Sequence, residues 1–174
     1  MRLCGADIML SLQDTAFVGV AGTVGETEYC QNDGTNARGT ANNYIFGNQI
    51  ESGNSVIGKE CTALTVHLDK YGTVSGTVYA RVWDGATSTV LHDWSSKAIS
   101  ALSETNQEET FTGSGYTIAE GNLIGVEFSL SGTGATEMLD DDSSHSGWLW
   151  TRFNGSAWSD DSGRAFRMCI TGET

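Results

Sequence analysis

Between Gly76 and Trp94 the chain alternates, turns and alternates again. Val78, Ala80 and Val82 occupy every second position, with Thr77, Tyr79, Arg81 and Trp83 between them. That is the period of a half-buried strand. Asp84-Gly85 is a turn signal, after which Val90-Leu91 resumes the apolar pattern. The same period runs through Leu64, Val66 and Leu68, and through Ile124, Val126, Phe128 and Leu130. Tyr44-Ile45-Phe46 and Ile50 are expected to return the chain to the core, and further strands are predicted at Glu108 to Thr112 with Phe111 inward, Trp148 to Phe153 and Ala165 to Ile170. Turns are expected at Tyr71-Gly72-Thr73, at Ala119 to Asn122 and, as a type I′ hairpin, at Asn154-Gly155. A short helical turn is predicted around Ala98 to Glu104. Two apolar runs, Ile8-Met9-Leu10 and Ala16 to Val20, read as N-terminal strands or as a strand that docks on a neighbouring subunit. Residues 23–43 and 131–147 are polar and read as long loops.

Eight to ten short strands with glycine turns and no helix of normal length predict an all-β fold: a two-sheet antiparallel β-sandwich, jelly-roll-like in topology. Residues 1–55 read as N-terminal strands plus a polar loop, a candidate inter-subunit arm, and 56–174 as the sandwich, together forming one compact domain. A chain of 174 residues suffices for a core without staples.

Composition sharpens this picture in three ways. Proline is absent and glycine reaches 22, which is β composition with glycine turns. The net charge of −13 repels phosphates and argues against nucleic-acid partners, while offering cations a place to sit. No apolar run reaches the roughly 18 residues that span a bilayer. The first ten residues make a poor signal peptide because Asp7 interrupts a short apolar stretch. With Met1 retained, the expectation is a cytoplasmic product or one that leaves inside a larger particle, ending at an extracellular or virion surface.

Cys4, Cys30, Cys61 and Cys169 are widely spaced and include no Cys-x-x-Cys, so a zinc or redox motif is not expected. Sequence alone allows three pairings of two disulfides. Cys30–Cys61 with Cys4–Cys169 is preferred, because terminal strands of sandwiches lie side by side; buried free thiols are the alternative.

Gly76 to Asp84, followed by Tyr116 to Glu127, resembles β-sandwich modules of archaeal and phage surface or virion proteins, similar in plan to carbohydrate-binding modules. The resemblance covers roughly residues 60–170 and carries no catalytic signature. It implies a non-catalytic role in surface structure, assembly or binding.

Two sets of residues are candidates for chemistry. Asp140, Asp141 and Asp142, with Asp160 and Asp161, could supply the hard oxygens calcium requires, although neither segment has EF-hand spacing. Trp148, Trp150 and Trp158, with Tyr79 and Trp83, would form a stacking platform for sugar rings or a neighbouring subunit if exposed, and core if not. Arg81 is expected to stack on an aromatic neighbour. His67, His92 and His145 share no ligand spacing and are expected to be structural or solvent-exposed. Glu108, Glu109, Glu120 and Glu127 could serve glycoside hydrolysis, but nothing marks one as a poised acid, and no hydrolase, phosphate-loop or zinc-protease motif occurs. Asn154-Gly155-Ser156 matches the glycosylation sequon. The expected role is therefore a non-enzymatic, self-assembling homo-oligomeric or polymeric structural subunit. The alternative is a glycan-binding module with a structural calcium.

Overall fold

Between Leu64 and Val82 the buried residues of one long strand all hold even positions. Leu64, Val66, Leu68, Val74, Val78, Ala80 and Val82 are all buried, and all belong to β4, Glu60–Trp83. The computed structural model describes residues 26–31 and 35–173 and is all-β, as the alternation predicts. The remaining strands are β1 Glu26–Gln31, β2 Asn36–Gly39, β3 Tyr44–Ile50, β5 Val90–Ala98, β6 Gln107–Thr117, β7 Leu123–Asp141, β8 Trp148–Asn154, β9 Trp158–Asp161, β10 Ala165–Phe166 and β11 Met168–Glu173. The predicted helical turn is a single 3-10 turn, Ile99–Ala101.

All pairings between these strands are antiparallel, and β4 is their spine. One of its edges carries β6 along Glu60–Leu68 and then β5 along Thr77–Trp83. The other carries β11 along Cys61–Val66 and then β7 along Leu68–Trp83. One layer therefore runs β5-β4-β7-β3-β8-β9 and the other β6-β4-β11-β1, with β2 and β10 on the far end of β7. The layers close on each other through aromatic side chains. Phe166 of β10 stacks on Phe46 of β3 at 5.0 Å and on Trp150 of β8 at 5.2 Å. Asn48 of β3 bonds both backbone groups of Phe166, its Nδ2 donating to the carbonyl at 2.7 Å and its Oδ1 accepting from the amide at 2.8 Å.

The structure corrects several local expectations. Tyr71-Gly72-Thr73 is no turn: Gly72 pairs with Gly134 in an unbroken β4–β7 ladder that bends there. Residues 131–141 continue β7, and part of the 23–43 segment forms β1 and β2. The turn after Asn154 has Gly155 alone in the left-handed region, so it is not type I′. The Asn154 side chain instead accepts the amides of Ser156 and Ala157. The sandwich also reaches back before residue 56, since β3 lies between β7 and β8 and supplies Phe46 and Ile50 to the core. The runs Ile8–Leu10 and Ala16–Val20 lie outside the described residues.

Neither preferred cysteine pairing forms. The bond joins Cys30 of β1 to Cys169 of β11, which are direct register partners. The terminal strand beside β11 carries Cys30, so the side-by-side argument selected the wrong residue. Cys61 is a buried free thiol, its pKa pushed up to about 11 by burial. Cys4 lies outside the described residues.

Candidate functional site

Asp140 holds an even, core-facing position on β7 and is fully buried. Arg38 of β2 reaches it, with Nε donating to Oδ2 at 2.6 Å, and donates through Nη2 to Asp142 Oδ1 at 2.9 Å. Asp142 also accepts from Asn36 at 2.9 Å. Arg164 pairs with both Asp142 and Asp161 at 3.1 Å. The two acidic segments thus meet at guanidinium groups. Those groups supply the positive charge a calcium ion would bring. Asp141 is paired with His145 at 2.8 Å, and Asp160 is exposed on β9. Among the described residues, these five aspartates bring no three ligand atoms within 4.8 Å of one another. Burial raises the Asp140 pKa against the opposing pull of Arg38 and Arg164, and its Oδ1 has no hydrogen-bond partner.

A second acidic pair lies at the bend, where Asp69 and Glu137 face each other across β4 and β7. Both pKa values are raised, chiefly by burial, and the Asp69 charge adds to the effect on Glu137. A carboxyl with a raised folded-state pKa takes up protons more readily in the native state than in the unfolded chain. Its penalty is therefore present above the folded pKa and disappears as pH falls below the unfolded value. We expect Glu137→Gln to raise the urea midpoint at neutral pH, with the gain vanishing below the ordinary carboxylate range. A gain that is constant with pH would refute the electrostatic account.

The aromatic set separates into core and flank. Trp148 and Trp150 share a face, as their spacing predicts, and that face is buried. Trp83 is buried on the opposite side of its sheet, with Ile45 and Leu123, under Phe153 and Trp158. The exposed platform of Trp148, Trp150 and Trp83 is therefore not formed, because these indoles fill the two apolar clusters. Trp158 is half-buried against Phe153 at 5.1 Å. Tyr79 lies under the Arg81 guanidinium at 4.5 Å, the stacking expected of Arg81, which also pairs with Asp93 and Glu127.

The histidines are separate and each is partnered. His67 lies 3.4 Å from Glu108, His92 stacks on Tyr116 at 5.2 Å, and His145 meets Asp141. Of the glutamates, Glu109 pairs with Lys97 and Glu127 with Arg81, whereas Glu108 points to the opposite side of β6 from Glu109.

Sequence reasoning missed the outward face of β1, β11, β4 and β6. Register places Cys30, Cys169, Thr65 and Thr110 in one cross-strand row. The next row contains His67 and Glu108, with Arg167 beside them. The first row is short: a disulfide and two threonines whose hydroxyls bond each other at 2.8 Å. Longer side chains, Glu28, Glu108 and Arg167, stand around it. Short residues between long ones leave an open depression of about 490 Å3. Glu28, Cys30 and Cys169 also place three ligand-type atoms within 4.8 Å, but both sulfurs are committed to the disulfide. Along the sequence the face appears only as separate i, i+2 pairs, Glu28/Cys30, Thr65/His67, Glu108/Thr110 and Arg167/Cys169, and only strand order brings them together.

Comparison with protein-family models, with curated proteins and with solved structures finds no match to this chain.

Proposed function

We propose that this chain is a non-catalytic structural subunit, a β-sandwich that self-assembles at an extracellular or particle surface. The observation that carries the reading is the edge position of β1. Among the described residues β1 pairs on one side only, with β11, so its outer backbone groups are open to strand addition. The apolar runs Ile8–Leu10 and Ala16–Val20 precede this edge in the sequence and are candidates to pair with a neighbour's open edge. A disulfide between terminal strands supports an oxidising location. Calcium enters this proposal as a screening ion between acidic copies, since the net charge of −13 makes them repel.

Light scattering on the full chain and on a chain lacking residues 1–22 tests the reading. The full chain should form large assemblies that strengthen with salt and calcium. The shortened chain should be monomeric with an unchanged far-ultraviolet circular dichroism spectrum. A full chain that stays monomeric at every salt concentration, or a shortened chain that assembles equally well, would overturn the proposal.

A further inference from the structure

We propose that the depression on the outward face of β1, β11, β4 and β6 binds a neutral sugar residue through its vicinal hydroxyls. The site does not depend on whether copies of the chain assemble.

In a chain with 22 acidic and 9 basic residues, an arginine has many carboxylates to choose from. Arg38, Arg81 and Arg164 each take two of them. Arg152 lies over the Trp150 ring at 5.3 Å. Arg167 makes no ion pair within 4.0 Å among the described residues, and its Nε is buried without a hydrogen-bond partner, yet it lines the depression. A guanidinium presents several donors in a fixed fork. Arg167 lines the same opening as the disulfide and two threonines that floor it, with Glu28 and Glu108 as acceptors around it.

Donors and acceptors kept apart around one opening complement a group that both donates and accepts. A hydroxyl does both, and two adjacent hydroxyls can meet the guanidinium and a carboxylate at once. The alternatives fit less well. An anion would meet Arg167 but face two glutamates and the −13 field of the whole protein. A cation would meet the glutamates but face Arg167. The volume of about 490 Å3 suits a small ligand, within the roughly 300–1,000 Å3 of ligand clefts. His67 borders the site beside Glu108, and burial together with the Arg167 charge lowers its pKa. At neutral pH its imidazole is therefore uncharged and can also donate and accept. The floor offers a disulfide rather than an aromatic ring for the sugar's C–H face, so binding should be weak, on the order of millimolar.

Titration of the isotope-labelled full chain, followed by amide chemical shifts at low salt without calcium, where the charge of −13 keeps copies apart, tests the site. The probes are the methyl glycosides of glucose, galactose and mannose, with galacturonate as the anionic and glucosamine as the cationic comparison. At least one neutral glycoside should give saturable shifts at Thr65, Thr110, Arg167 and Cys169. Arg167→Met, which keeps the apolar stem, should weaken that binding about tenfold or more, the loss expected for charged hydrogen bonds. Glu108→Gln should weaken it by a smaller factor. Preferential binding of galacturonate or glucosamine would overturn the neutral-ligand assignment. No saturable shift with any neutral probe, or undiminished binding by Arg167→Met, would overturn the site.

Discussion

Gly76→Ala is expected to cost about 2–6 kcal/mol, a large share of the roughly 5–15 kcal/mol by which an ordinary domain is stable. Two effects add. Gly76 has φ of +123°, a backbone region essentially closed to residues with a side chain. A Cβ built there would also overlap the carbonyl of Ser129 on β7, and a backbone oxygen in the central ladder has nowhere to move. Gly53 provides the matched control. Its φ is +84°, and a Cβ would meet nothing within 4 Å, so Gly53→Ala should cost only about 1 kcal/mol. Urea unfolding of the two variants separates backbone strain from steric overlap. Similar midpoints for both would show that the β4–β7 ladder yields at Ser129.

Asn48→Leu should be of comparable severity, at about 2–6 kcal/mol, because it strands two buried backbone groups of Phe166 at roughly 1–3 kcal/mol each. Phe166 also sits in the aromatic stack with Phe46 and Trp150, so any shift of β10 loosens the join between layers. Asn48→Asp should behave differently. A carboxylate still accepts from the Phe166 amide but faces the Phe166 carbonyl without a proton to donate. In this buried position its folded pKa is raised, so stability should recover as pH falls through that pKa and the acid regains its donor. Thermal melts at neutral and acidic pH should show recovery for Asn48→Asp and none for Asn48→Leu. Parallel behaviour of the two variants would mean that packing, rather than the paired bonds, sets the cost.

The fold class was legible because alternation is a local signal. Parity carried more than the turn residues did. Leu68 and Val74 share even parity with Val82, and Leu130 and Met138 with Ile124, so each run reads as one strand through its glycines. Gly72 looked like a turn, but facing a glycine on β7 it bends a pair of strands without ending either. Asp140 looked like loop because aspartate is rarely buried; its even position was the one hint of its inward direction, and Arg38, 102 residues away, was not foreseeable as its partner. The burial of Trp148 and Trp150 could not be chosen from spacing, since an alternating pair shares a face whether that face is wet or dry. The outward depression was hidden for another reason: it exists only once β1, β11, β4 and β6 are placed in order.

The pairing of β1 with β11 also determines how the sandwich bears tension. Glu26 and Glu173 are register partners, so a pull that separates the chain at these two points opens the strands like a zipper, one pair at a time. Four pairs would part, from Glu26–Glu173 to Tyr29–Ile170, before the strain reached Cys30–Cys169. There the load passes through a covalent bond and bypasses the 139-residue span that the bond closes. The disulfide is a shunt: a stretched molecule lengthens by a few residues at each end and then stops, with its core unloaded.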